Sequence, residues 1–355
     1  MAAPRLGIIV DYSAPFAEAV PEVVEAERIG AEVVTTTEAY SVDSVSRLGY
    51  LAAATSRMAL AAGILPLFSR TPSLLAMTAA GLDEVSGGRF ELGLGASGAQ
   101  VIEGFHGVPY ERPLAKMRET VNICRVVWRR EPVVNTGREY PLPLPADRGR
   151  GLGKPLKLIN RPPRARIPIS IAALAPKGVA QAAEIAEGWL PLFYWPERAD
   201  AAWGASLDAG LARREPALGP LRVSVQAPLL IGESTEEALV HHRGMLALYV
   251  GGMGAPGANF YNDLAVAYGY ADQAALAQEL YLSGRKEEAA AALPEELVRA
   301  TALVGTEAEV RARVRAYADR GVHTLTVQPV GTTPAARLEQ LEAMRGLLDA
   351  LPADG

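Results

Sequence analysis

Residues 58–98, MALAAGILPLFSRTPSLLAMTAAGLDEVSGGRFELGLGASG, decide the fold. Two apolar runs, Met58–Leu65 and Phe90–Gly95, bracket a segment of helical pattern that Thr71-Pro72 opens, with the proline near the first turn. A strand, a helix and a second strand in this order make a parallel unit. Strands of such a sheet are covered on both faces and read as continuous apolar runs. The same reading outward from this unit finds six further runs: Leu6–Val10, Glu32–Thr37, Pro168–Ala173, Gly188–Leu192, Arg222–Ile231 and His323–Gln328. Eight strands alternating with helices imply an α/β fold of the closed (β/α)₈ TIM-barrel type. An open doubly wound sheet is the alternative, but GLGASG follows the fourth run and lacks the spacing of a dinucleotide fingerprint.

Helical patterns lie between the runs. PEVVEAERIG sets Val23, Val24 and Ala26 against charged neighbours and stops at Gly30. In LAKMRETVNICRVVWRR, Leu114, Met117, Val121, Cys124 and Trp128 form one apolar stripe, which makes Cys124 a packed core thiol. Two stretches break the alternation. Residues 130–166, rich in Pro, Gly and Arg, read as a loop or short hairpin over the barrel mouth. Residues 232–322 read as helices with no strand among them, an insertion between strands seven and eight. With no internal repeat and no low-complexity linker, residues 1–355 read as one domain.

The 355 residues are 49% hydrophobic and 21% charged, a globular balance. Lys and Arg number 35 against 40 Asp and Glu, for a net charge of −5, which argues against a nucleic-acid partner. One cysteine excludes an intramolecular disulfide and a cysteine zinc site, and four histidines make a histidine metal centre a poor expectation. The first residues carry too short an apolar run for a signal peptide, and no apolar stretch is long enough to span a membrane. A cytoplasmic protein is expected.

Barrel enzymes work at the carboxyl ends of their strands. Those ends carry Asp11; Glu38 and Tyr40; Gly63, Ile64 and Leu65; Ala96, Ser97 and Gly98; and Ala172, Ala173 and Leu174. No metal cluster and no Ser-His-Asp order occurs. So many small and apolar residues suit a flat ring system that brings its own chemistry. The turn from Ala175 to Lys177 opens a helix, where free N–H groups, the helix dipole and the lysine favour an anion. Glu38 and Asp11 are candidate acids or bases. His106, in GFHG, reads more readily as a structural histidine.

The block LDEVSGGRF–LGLG, with TEAY, GLGKPLKLI, SIAALAPKGVAQAAEIAEGWLPLF and FYNDLAVAYGY, resembles the bacterial luciferase-like family across nearly the whole chain. It is closest to the branch that uses the deazaflavin coenzyme F420. The resemblance implies a (β/α)₈ barrel with the coenzyme ring at its mouth. It implies a non-prolyl cis peptide at Gly63–Ile64, with Ile64 behind the ring and Leu65 following. Ala96, Ser97 and Gly98 would border the ring and ribityl chain, and Ala172 to Lys177 the phosphate. Arg148, Arg150, Lys154 and Lys157 are candidate partners for the coenzyme's oligoglutamate tail. Several relatives carry a histidine just after strand two. Here the stretch reads Thr37-Glu38-Ala39-Tyr40, so the catalytic candidates are Glu38, assisted by Asp11 or Tyr40. The implied activity is hydride transfer between the deazaflavin C5 and a small-molecule substrate. The alternatives are an FMN-dependent monooxygenase of the same superfamily, and a barrel that binds a flavin without catalysis. The long helical content favours a homodimer.

Overall fold

The computed structural model describes residues 3–10 and 15–352. Its strands are β1 (Arg5–Val10), β2 (Val33–Thr36), β3 (Ala59–Ala62), β4 (Leu65–Pro66), β5 (Phe90–Gly95), β6 (Ile169–Ala172), β7 (Gly188–Leu190), β8 (Arg222–Ile231), β9 (Leu303–Gly305) and β10 (Val322–Pro329). All named pairings are parallel. Eight strands close a barrel in the order β1, β2, β3, β5, β6, β7, β8, β10, and β10 pairs back onto β1 with Ile8 opposite Val327. Each of the eight apolar runs coincides with one of these strands. The short β4 follows β3 and pairs with β5, Leu65 opposite Leu94. The fold is an α/β TIM barrel.

The helices are α1 (Phe16–Ile29), α2 (Ser44–Ala54), α3 (Pro72–Val85), α4 (Ala99–Gly104), α5 (Pro113–Trp128), α6 (Pro176–Ile185) and α7 (Ala205–Leu211). They continue with α8 (Glu236–Ala247), α9 (Phe260–Ala267), α10 (Ala271–Leu282), α11 (Lys286–Ala291), α12 (Glu295–Ala300), α13 (Glu307–Asp319) and α14 (Pro334–Asp349). Helix α3 begins as its sequence dictates: the Thr71 hydroxyl accepts the Leu74 N–H at 3.2 Å and Pro72 fills the first turn. Its inner face packs on the stripe of α5, where the Trp128 indole donates to the Ala76 carbonyl at 3.0 Å. Cys124 lies wholly inside this contact, and burial pushes its thiol up to about 12, so it remains an inert core group.

Of the two irregular stretches, residues 232–322 differ from their expected form. Within 232–322 the strand β9 interrupts the helices and pairs with Leu229–Ile231, where β8 runs on past the barrel wall. Within the helical stretch, Pro294 separates α11 from α12, since it cannot donate a helical hydrogen bond. The insertion is tied to the segment after β7. The Tyr268 hydroxyl donates to the Phe193 carbonyl at 2.9 Å and accepts the Trp195 N–H at 3.1 Å. Residues 130–166 include a hairpin with Asn135 bridged to Leu142. It packs along α5: the Glu119 carboxylate accepts from the Asn135 side chain and from the N–H groups of Glu139 and Tyr140. Arg164 anchors the far end on the fully buried Asp83 and on the Phe90 carbonyl.

Candidate active site

At the carboxyl end of β3 the chain turns through Gly63 and Ile64, and the peptide between them is cis. The Gly63 N–H donates to the Thr36 carbonyl at 2.8 Å, which joins this turn to β2. The Ile64 side chain crosses in front of β5. A Cβ on Gly95 would lie 2.8 Å from Ile64 Cγ1, 3.0 Å from Cδ1 and 3.6 Å from the Ala172 Cβ. Glycine at 95 therefore makes the room that Ile64 occupies. Ile64 and Ala172, both half-buried, form an apolar ledge across three strands at the mouth. Leu65 is different. Its side chain is wholly buried in the core, so only its backbone reaches this region.

After β5 the chain passes through Ala96 and Ser97, the latter in the left-handed region with φ of 60°. The Ser97 carbonyl accepts the Tyr110 hydroxyl at 3.2 Å, and the Tyr110 ring lies 5.1 Å from that of Phe68. Burial raises the Tyr110 phenol above its ordinary range, so it stays a donor to Ser97. Gly98 caps α4 and is exposed, with open space around it. The loop is thus braced at one residue and bare at the next.

After β6 come Ala172, Ala173, Leu174 and Ala175, all half-buried. Two buried indoles hold this turn from behind: Trp189 donates to the Ala173 carbonyl at 2.9 Å and Trp203 to the Leu174 carbonyl at 3.0 Å. Helix α6 starts at Pro176 with Ala175 as its cap and no side-chain cap hydrogen bond. The amides of Lys177 and Gly178 are therefore left without helical partners, next to the exposed Lys177 side chain. This end of the helix favours an anion.

The acidic candidates separate. Glu38 is buried in a bidentate ion pair with Arg70, at 2.6 Å and 3.0 Å, and also accepts the Ser44 N–H at 2.8 Å. The side chains are 7% and 14% exposed, respectively. Both oxygens are taken, and the carboxylate acts as a clasp joining the start of α2 to the segment after β4. Arg70, which makes that clasp, was not among the sequence candidates. Tyr40 is exposed, its ring 6.2 Å from Phe105. Asp11 lies outside the described residues. Two polar atoms on rim segments are buried without a protein partner, Thr37 Oγ1 and His106 Nε2. Neither is predicted from sequence, where a threonine and a lone histidine carry no distinguishing pattern. His242, on the insertion, is pushed down to about 4 by burial and bonds Thr301 Oγ1 at 2.9 Å, a core role. Among the described residues no group of three or more His, Cys, Asp or Glu is placed to hold a metal ion. No helix among them is long and apolar enough to cross a membrane.

The mouth of the barrel thus brings together an apolar ledge, a bare loop and a free helix end, a combination whose chemistry suits a flat ring bearing an anionic chain. Comparison with known proteins gives this class its family. Residues 1–324 match the family model described as luciferase-like monooxygenase, and the chain belongs to that family of enzymes. It is 41% identical over 318 residues, 89% of this chain and 91% of the other, to a Mycobacterium tuberculosis protein (Rv3520c) provisionally designated a coenzyme F420-dependent oxidoreductase. It is 30% identical over 229 residues, 64% of each chain, to the 5,10-methylenetetrahydromethanopterin reductase of Archaeoglobus fulgidus. Among solved structures, the coenzyme F420-dependent tetrahydromethanopterin reductase of Methanopyrus kandleri superimposes with a TM-score of 0.79 at 19% identity, covering 97% of this chain and 98% of that one.

Proposed function

We propose that this protein is a coenzyme F420-dependent oxidoreductase that moves a hydride between the deazaflavin C5 and a small organic substrate. The observation that carries this reading is the apolar ledge that Ile64, seated in the room left by Gly95, makes beside Ala172 at the barrel mouth. The 41% identical relative supports the choice of coenzyme. The residues fit the group. Gly63 and Ile64 would back the ring, Ala96, Ser97 and Gly98 would border it, and Ala172 to Ala175 lead to the α6 N-terminus, where Lys177 and the free amides would hold the phosphate. When bound, the coenzyme supplies or accepts the hydride. The protein orients the partners and keeps water from between them.

Proton exchange falls to His106, because Glu38 has both oxygens engaged by Arg70 and Ser44. The imidazole has a buried, unpartnered Nε2 on a rim loop, and a ring nitrogen can give or take a proton. His106→Asn is expected to lower kcat about a hundredfold while the coenzyme Kd holds, as for loss of a general acid or base. Unchanged turnover would remove His106 from the reaction. The coenzyme itself is tested by calorimetric titration with oxidised F420 and, separately, with FMN. Tight F420 binding and weak FMN binding are expected. The reverse order would make the protein an FMN-dependent monooxygenase.

A further inference from the structure

We infer that Gln226 holds the substrate, gripping an uncharged molecule by a hydrogen-bond acceptor such as a carbonyl oxygen, on the side of the mouth opposite the coenzyme ledge. The inference rests on the F420 reading above and deepens it. Strand β8 alternates: Val225, Ala227 and Leu229 are buried, while Ser224, Gln226 and Pro228 are half-buried and point the other way. The register shows that the second set faces the lumen of the barrel. Residues paired in parallel register share a face, and Gly93, Ser170, Gly188 and Arg222 are paired in turn. A Cβ on Gly93 would come within 3.4 Å of Leu190 Cδ1. Leu190 belongs to β7, which β6 separates from β5, so the two meet across the lumen, where alternate strands share a layer. Arg222 starts this face on β8, and Gln226 lies on it nearer the mouth.

Strand β8 stands halfway round the barrel from β3, so Gln226 faces Gly63 and Ile64. The register climbs from strand to strand. Followed round the wall, it sets Gln226 level with Ile9, Gly63 and Ala172, one residue from every second strand. Gln226 has the one polar side chain in that layer, and its amide has no hydrogen-bond partner among the described residues. A half-buried amide left bare inside a barrel is a donor and an acceptor open to a ligand. Thr37, just beyond β2, adds a buried Oγ1 that is also without a partner. On the lumen face the described residues carry charge only at the floor, where Arg5 pairs with Glu91 at 3.1 Å and Arg222 opens β8. An anion between the ledge and Gln226 would meet no counter-ion at that level, and the loss of its water would go uncompensated. An uncharged oxygen accepts from the Gln226 amide without that penalty.

The test is calorimetric titration of the full chain, loaded with F420, with three ring compounds. These are cyclohexanone, methylenecyclohexane, which has the same shape without the oxygen, and cyclohexanecarboxylate. The parent is expected to bind the ketone, and the carboxylate more weakly. Gln226→Met keeps the length of the side chain, Gln226→Leu shortens it, and both remove the amide. Each is expected to shift the Kd of the ketone relative to that of the alkene by about tenfold, against the ketone. The coenzyme Kd and the Tm should hold in both variants, which a merely structural role would not allow. The assignment is overturned if either variant leaves that ratio unchanged, or if the ratio shifts only together with lost coenzyme binding. It is also overturned if the carboxylate binds the parent more tightly than the ketone, or if the ketone does not saturate. In these cases the parent still binds F420. Failure of F420 to bind the parent overturns the coenzyme reading, and this inference with it.

Discussion

Gly93→Ala is expected to destabilise the barrel severely, to the point of insolubility or a much lower Tm. A Cβ at 93 would overlap the Ala62 carbonyl oxygen, sit 3.0 Å from that carbonyl's carbon and come within 3.4 Å of Leu190 Cδ1. The first two are backbone atoms of the adjoining strand, so no rotamer change relieves the clash. Relief requires parting β3 from β5, which are paired only at Leu60–Phe90 and Ala61–Glu91. Overpacking that side chains can absorb costs about 1–3 kcal/mol, and a rigid backbone leaves the upper end or beyond. A domain has only about 5–15 kcal/mol to lose. The measurement is soluble yield and thermal unfolding: insoluble protein, or a Tm lower by more than about 10 °C. Gly95→Ala makes the contrast. Its Cβ meets the side chain of Ile64, which can shift, so that variant should fold and lose coenzyme affinity instead. A Gly93→Ala protein melting like its parent would show that β3 can move aside.

Glu38→Leu is expected to cost about 3–5 kcal/mol, because it strands the largely buried Arg70 guanidinium and the Ser44 N–H at once. Glu38→Gln should cost far less, since its amide oxygen still accepts from Arg70. Its effect on chemistry separates two roles. A clasp tolerates glutamine, so turnover is expected within about fivefold of the parent; a proton-transferring carboxylate would lose about a hundredfold or more. Denaturant unfolding and steady-state kinetics on the two variants decide it. A stable Glu38→Gln protein with turnover lost would return the proton to Glu38.

The barrel was legible because its strands are sealed on both faces. Leu6–Val10 or Phe90–Gly95 can only be a run of apolar residues when helices cover one side and neighbouring strands the other. The helix starts were equally plain, as at Thr71-Pro72. The strand β9 was not, because three residues paired only to the overhang of β8 leave no run to see. The candidate site was legible only as a set of backbone positions, the small residues at the strand ends, where the structure brings Ile64, Gly95 and Ala172 together. Its side-chain chemistry was hidden. Glu38 meets Arg70 across 32 residues of chain, and no spacing rule reports such a pair. His106 differs from any other lone histidine only in what its Nε2 fails to touch. Gly93 was read correctly as part of the run Phe90–Gly95, but nothing in that run reports that it answers to the carbonyl of the next strand.

Two of the four tryptophans stand directly behind the turn assigned to the coenzyme, their indole N–H groups spent on the Ala173 and Leu174 carbonyls. A third, Trp128, sits between α3 and α5, its indole on the Ala76 carbonyl. The chain thereby carries its own optical probe. If the coenzyme binds as proposed, emission from Trp189 and Trp203 should be quenched more strongly than that of Trp128, which lies between α3 and α5. Occupancy can then be followed on the unlabelled protein, in real time, by the dimming of its intrinsic fluorescence.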